Sequence, residues 1–158
     1  MENIAADVII NAIGVGLVVS LVFSETMGLA AGGMVVPGYI ALNLRDPTRV
    51  VMTLVLGFAA FLIVRLLSNF MILYGRRRTV VIILVGFVLG WVFRSLLVFD
   101  IGGETIELAA IGFIIPGLVA MWIDRQGLTE TTATLLTSGV LVRLILILIY
   151  GGEMYAWH

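Results

Sequence analysis

Apolar positions in this 158-residue chain do not recur with the short period of a soluble domain. They come in long blocks separated by brief charged or proline-glycine punctuation. Four blocks, 8–23, 50–73, 80–99 and about 131–150, approach the ~20 residues that cross a bilayer, and each predicts a transmembrane helix. Two further apolar segments, 27–44 and 108–123, are interrupted by Pro37-Gly38 and Pro116-Gly117. Proline removes a helix donor and clashes with the preceding turn, so these predict broken or re-entrant segments. The expected fold is all-α, one polytopic membrane domain over 1–158 with four long transmembrane helices and two Pro-Gly-broken segments.

The two interrupted segments match each other. Shifted by 79 residues, ETMGLAAGGMVVPGYIAL (25–42) lies over ETIELAAIGFIIPGLVAM (104–121) without a gap, and nine of the 18 positions are identical. Alanine and leucine coincide by chance in apolar sequence, but Glu-Thr, Gly and Pro-Gly in one register point to duplication. The chain is therefore expected to be a two-fold internal repeat of about 1–79 and 80–158. If the Pro-Gly segments cross the membrane, each half has three spans and the halves are inverted; if they only dip, the halves are parallel. The Arg76, Arg77, Arg78 loop is cytoplasmic by the positive-inside rule. Crossing then puts Arg125 inside with them and Arg45 and Arg49 outside, whereas dipping moves Arg125 out. The charge balance tilts toward inversion.

Composition agrees with a membrane class: 61% of residues are hydrophobic and mean hydropathy is +1.19, against roughly 45–50% apolar in soluble domains. Glu2 and Asp7 stand where a secretory signal would be basic, so the first apolar block is expected to be retained. The chain has no cysteine and no lysine, and His158 is its one histidine. Cysteine nucleophiles, disulfides and lysine-based chemistry are thereby excluded. No phosphate-cradling Gly-rich loop occurs. No cofactor is expected in this chain, no nucleic acid is an expected partner, and catalysis by the chain alone is not expected.

Arginines inside apolar blocks carry the candidate chemistry. In a block running to residue 73, Arg65 lies about 12 Å from the helix end at ~1.5 Å per residue, too deep to reach the interface easily. Arg143 and Arg94 lie inside the fourth and third blocks. A guanidinium at a helix centre costs on the order of 2.5 to 3.5 kcal/mol unless paired or hydrated. These three either line a polar route that attracts an anion, snorkel, or pair with acids such as Glu104, Glu107 or Glu130. Glu25 and Glu104 recur in register ahead of the broken segments, as helix-start charges or as arginine partners. The breaks at Pro37, Gly38, Pro116 and Gly117 either open a cavity near midplane or serve only to let helices pack. Gly86/Gly90 and Gly28/Gly32 are small-xxx-small pairs that fit intramolecular packing, self-association or docking of another subunit.

Three stretches, GGMVVPGYIAL (32–42), NFMILYGRRR (69–78) and IGFIIPGLVAMWIDRQGL (111–128), resemble the PgsC/CapC membrane subunit of the poly-γ-glutamate synthase complex. The resemblance covers nearly the whole chain. It implies a role in making and exporting a polymer of glutamates joined through their side-chain carboxylates. It also implies two partners: a PgsB/CapB-like ligase holding ATP and a divalent metal, and a PgsA/CapA-like subunit facing outside. No catalytic residues transfer from the family. The arginines, the Pro-Gly pairs, Glu25 and Glu104 then become candidates for a polymer path, and Arg76, Arg77 and Arg78 for the ligase contact. The competing class is an independent secondary transporter or channel for small anions; a structural anchor for the ligase is a third.

Overall fold

The computed structural model describes residues 2–70, 75–96, 100–101, 104–105 and 112–150. Six helices carry the fold in the order α1 (Glu2–Met27), α2 (Val36–Asn43), α3 (Pro47–Leu67), α4 (Arg76–Leu96), α5 (Ile115–Gln126) and α6 (Leu128–Tyr150). Between α4 and α5 a minimal antiparallel pair joins Asp100–Ile101 to Glu104–Thr105. Among the described residues, three segments are long and apolar enough to cross a bilayer: Ile9–Met27, Pro47–Leu67 and Leu128–Tyr150. The chain is a multi-pass, all-α membrane protein.

Apolar side chains cover the outside of the helices as well as filling the core, and some hydroxyls are buried among them. Ile10, Val18 and Leu21 on α1, Val51 and Val55 on α3, Val80 and Leu84 on α4, and Leu144 and Leu148 on α6 are exposed. Hydroxyl side chains are inside: Ser20, Thr53, Thr131, Thr134 and Ser138 are buried. Thr53 donates to Arg49 O at 2.7 Å and Ser138 to Leu135 O at 3.1 Å, so burial leaves their protons satisfied by their own helix.

All three prolines occupy the first turn of a helix rather than the middle of one: Pro37 follows Val36 at the start of α2, Pro116 follows Ile115 at the start of α5, and Pro47 begins α3. Proline is tolerated there because the first N–H groups of a helix have no intrahelical acceptor. The interruption expected at Pro-Gly lies just before it. Gly28, at φ +66, ends α1 with its N–H on Ser24 O at 3.0 Å, and irregular backbone follows up to Val35. Such backbone needs polar partners inside a membrane. Ser20 Oγ donates to Gly33 O at 3.4 Å, and Thr134 Oγ lies 3.3 Å from Ala30 O, although its single proton is better placed for Glu130 O at 2.6 Å.

The chain divides into two compact units, residues 1–45 with 130–158, and residues 46–129. In the first, α2 lies between α1 and α6. Its core is Ala12, Val19, Ala41, Val142 and Leu146. Close approach depends on glycine: a Cβ on Gly16 would fall 2.8 Å from Gly38 N, and one on Gly139 would fall 2.7 Å from Ile40 Cγ2. In the second unit α3, α4 and α5 pack on one another around Ala60, Val64, Ile82 and Ala120. Here a Cβ on Gly86 would fall 2.3 Å from Gly117 Cα, and one on Gly57 would fall 2.9 Å from Val119 Cγ1. Gly86, singled out in the sequence as half of a small-xxx-small pair, thus serves packing within the chain.

Candidate functional site

Three helix ends converge in the second unit. Along α4 and α5, Phe113 meets Gly90, Gly117 meets Gly86 and Ile83, and Asp124 meets Arg78, so the two helices run antiparallel. The start of α4 therefore sits beside the end of α5. On the other side, Gly57 of α3 meets Val119, and further on Phe61 and Arg65 share a pocket with Ile123 and Asp124, so α3 runs parallel to α5. The pocket at this shared end has a volume of about 690 Å³; Phe61, Arg65, Asn69, Arg78, Ile123 and Asp124 are among its lining residues.

Arg78 and Asp124 form its fixed element. Arg78 Nε donates to Asp124 Oδ2 at 2.8 Å and Nη2 donates to Oδ1 at 2.5 Å, a two-point fork on groups that are 30% and 17% exposed. Each charge stands at the unfavourable end of its own helix dipole, the cation in the first turn of α4 and the anion in the last turn of α5. Their mutual attraction, rather than either helix, holds them there. Asp124 was not anticipated as a site residue. The signal was a carboxylate in an otherwise apolar segment, which requires a partner; only the helix crossing says which arginine that is.

Arg65 is not deep in a span. α3 stops at Leu67, where the N–H groups of Asn69 and Phe70 turn onto Leu66 O and Leu67 O, so Arg65 is in the last turn. The apolar residues beyond it had suggested a longer helix, but backbone hydrogen bonds close three residues after Arg65. Its guanidinium is exposed and lies 5.8 Å from the centre of the Phe61 ring, a cation–π contact worth roughly 0.5 to 1 kcal/mol at exposed sites. Among the described residues it has no carboxylate partner. A cation at a helix C-terminus is favourable.

The remaining candidates fall elsewhere. Arg143 is half-buried in the first unit and donates from Nη1 to Ala41 O at 3.1 Å. Ala41 belongs to the last turn of α2, where carbonyls lack intrahelical donors, so this arginine caps the short helix. Pro37, Gly38, Pro116 and Gly117 are buried in helix crossings. Glu25 is exposed in the last turn of α1, which rules out a helix-start role: it faces the negative end of that dipole. Glu104 lies in the short strand, not ahead of a helix, and its side chain lies outside the described residues, as does that of Arg94; Glu107 is outside them altogether. Of the arginine triplet, Arg76 and Arg77 are exposed, whereas Arg78 is committed to Asp124. Arg125 is exposed and stacks 5.4 Å from the Trp122 ring.

Helices with lipid-facing apolar surfaces, buried hydroxyls and charges gathered at their ends define a multi-pass membrane protein with a polar pocket at one end of one unit. The chain belongs to the CapC family of capsule biosynthesis proteins: the family profile "Capsule biosynthesis CapC" matches residues 15–132. It is 41% identical over 130 residues to "PGA biosynthesis protein CapC" of Bacillus subtilis (strain 168), covering 81% of this chain and 87% of that one. It is 38% identical over 133 residues to "Capsule biosynthesis protein CapC" of Bacillus anthracis, with the same coverage of 81% and 87%. No solved structure matches it significantly.

Proposed function

We propose that this chain is the membrane subunit of a poly-γ-glutamate synthase in the cytoplasmic membrane. It supports ATP-dependent polymerisation by a partner ligase and carries the nascent polymer across the bilayer. The observation that carries the reading is the 41% identity, over 87% of its length, to a protein named for PGA biosynthesis, read here as poly-γ-glutamate. ATP and a divalent metal are assigned to a PgsB/CapB-like ligase, because this sequence has neither a phosphate-cradling loop nor a lysine. The exposed Arg76 and Arg77 are the proposed ligase contact. A PgsA/CapA-like subunit completes the complex outside.

The proposed topology has four membrane-crossing long helices, α1, α3, α4 and α6, with the α2 and α5 segments also passing through, so that two repeats are inverted. Support for the repeat comes from registers 79 residues apart. Val36 and Ile115 open the two short helices, and Ile40 and Val119, likewise 79 residues apart, each pack against a glycine of a long helix, Gly139 and Gly57, which do not themselves share that register. Support for crossing comes from the return of α5 along α4 to the level of Arg78. Arg65, Arg76, Arg77, Arg78 and Arg125 then share one end of the second unit, with Arg49 and Asp46 at the other. By the positive-inside rule the arginine-rich end is cytoplasmic. A cysteine replacing Arg125 in this cysteine-free chain should react with an impermeant thiol reagent only after the cells are opened. Labelling of intact cells would reject the inverted arrangement.

Purification in mild detergent tests the function. The chain should bring an ATP-dependent glutamate ligase with it, and its deletion should abolish polymer while leaving the ligase expressed. A chain that purifies without any ligase, and whose deletion leaves polymer unchanged, would favour the small-anion transporter instead.

A further inference from the structure

The pocket between the ends of α3, α4 and α5 sets two guanidinium groups in a mostly polar lining with a smaller apolar part. Asp124 occupies two of the five N–H donors of Arg78 and leaves three free of it, while cancelling that arginine's charge. Arg65, stacked on Phe61 and without a carboxylate partner among the described residues, supplies the one uncompensated positive charge. Phe61, Ile123 and Leu128 give the pocket apolar surface, and Asn69 adds an amide at its edge. At about 690 Å³ it falls in the size range of organic-ligand sites, well beyond the needs of a lone ion.

We infer that this pocket binds the pendant α-carboxylates of a γ-linked glutamate chain, with Arg65 as the principal donor and Arg78, oriented by Asp124, as the second. The inference rests on the polymer assignment proposed above. Each γ-linked residue presents one carboxylate and two methylenes, matching guanidinium donors beside Phe61 and Ile123. The net charge matters as much as the donors. A row of uncompensated arginines would hold a polyanion too tightly by multivalent binding; one net charge, with Arg78 neutralised, attracts a carboxylate and still releases it. At the arginine-rich end, the pocket would receive polymer as the ligase extends it.

The test uses the full chain in nanodiscs of phosphatidylcholine, titrated with a fluorescent γ-linked glutamate decamer and followed by anisotropy. Saturable binding is expected. Arg65→Gln should weaken it about tenfold or more, since a charge-assisted hydrogen bond contributes on the order of a decade in affinity. Arg65→Lys should fall between, keeping charge but losing the planar fork, and it carries the test if Arg65→Gln does not elute as a monodisperse species. The variant Arg49→Gln, at the other end of the unit, should change affinity less than about twofold, and an α-linked decamer of equal charge should bind more weakly. Absence of saturable binding, or equal loss in the Arg65 and the Arg49 variants, overturns the site. Full displacement of the decamer by phosphatidylglycerol would instead assign the pocket to lipid phosphate and also overturn it. Either failure, in a chain that still purifies with the ligase and is required for polymer, rejects the pocket alone. Failure to purify with a ligase rejects the polymer assignment itself.

Discussion

Replacing Gly86 with alanine is expected to lower the thermal midpoint of the detergent-solubilised protein by about 10 °C or more, and Gly117→Ala to have a comparable effect. The added Cβ at Gly86 would stand 2.3 Å from Gly117 Cα and 2.5 Å from its N, and the one at Gly117 would stand 2.9 Å from Ile83 O and Cα. Every one of these neighbours is backbone, so no side chain can rotate away and α4 and α5 must separate. Overpacking costs typically 1 to 3 kcal/mol, and where two backbones must separate the upper end, about 3 kcal/mol, applies, which in a chain of this size corresponds to roughly 10 °C. Gly14 is the internal control. It too is a helical glycine, but a Cβ there meets nothing within 4 Å. Gly14→Ala should leave the midpoint unchanged or raise it slightly, by the ~0.5 to 1 kcal/mol that alanine gains over glycine in a helix. Thermal unfolding followed by circular dichroism separates the three variants. Equal behaviour of Gly86→Ala and Gly14→Ala would mean that the α4–α5 crossing is not as close as described.

Asp124→Ala is expected to destabilise by about 2 to 3 kcal/mol, because it leaves Arg78 partly buried, unpaired and at the positive end of α4. Arg78→Ala should cost a similar amount by exposing the converse problem at the end of α5. The informative variant is the exchange Arg78→Asp with Asp124→Arg. It restores opposite charges at the same crossing and places each at the favourable end of its helix dipole, an acid at the start of α4 and a base at the end of α5. Its thermal midpoint should return to the wild-type value or exceed it. A double variant no better than the sum of the single ones would show that the pair does not couple. Carboxylate binding at the pocket gives a second reading of the same set: Asp124→Ala frees both the charge and the donors of Arg78, so a γ-linked oligomer should bind more tightly and dissociate more slowly even as the fold weakens.

How these residues meet could be read from the sequence only in part. Long apolar blocks located the long helices α1, α3, α4 and α6, and among the described residues three of them, in α1, α3 and α6, are long and apolar enough to meet the ~20 residues that crossing hydrocarbon demands. The helix ends were less legible. Apolar residues continue past Leu67, so hydropathy ran α3 on to residue 73 and made Arg65 look deep; the backbone turn at Ser68–Phe70 is set by hydrogen bonds that hydropathy does not register. Proline was recognised as punctuation but assigned to the middle of a segment, although the first turn of a helix accepts proline just as readily. Glu25 and Glu104 matched in sequence register and yet occupy a helix end and a short strand.

By itself the sequence determined the membrane class, the position of the long helices, the two Pro-Gly segments in register and the family. All four depend on local composition and order, which the chain carries wherever it folds. Tertiary structure decided the rest. It sent α3 to the unit of α4 and α5, and α6 to the unit of α1 and α2. It matched Gly16 with Gly38 and Gly86 with Gly117, paired Arg78 with Asp124 rather than leaving it in a free basic loop, and turned Arg143 onto the end of α2. Each of these joins residues distant in sequence, through contacts that exist only once the helices cross. No pattern along a single chain specifies which glycine will face which, or which cation a buried carboxylate will reach.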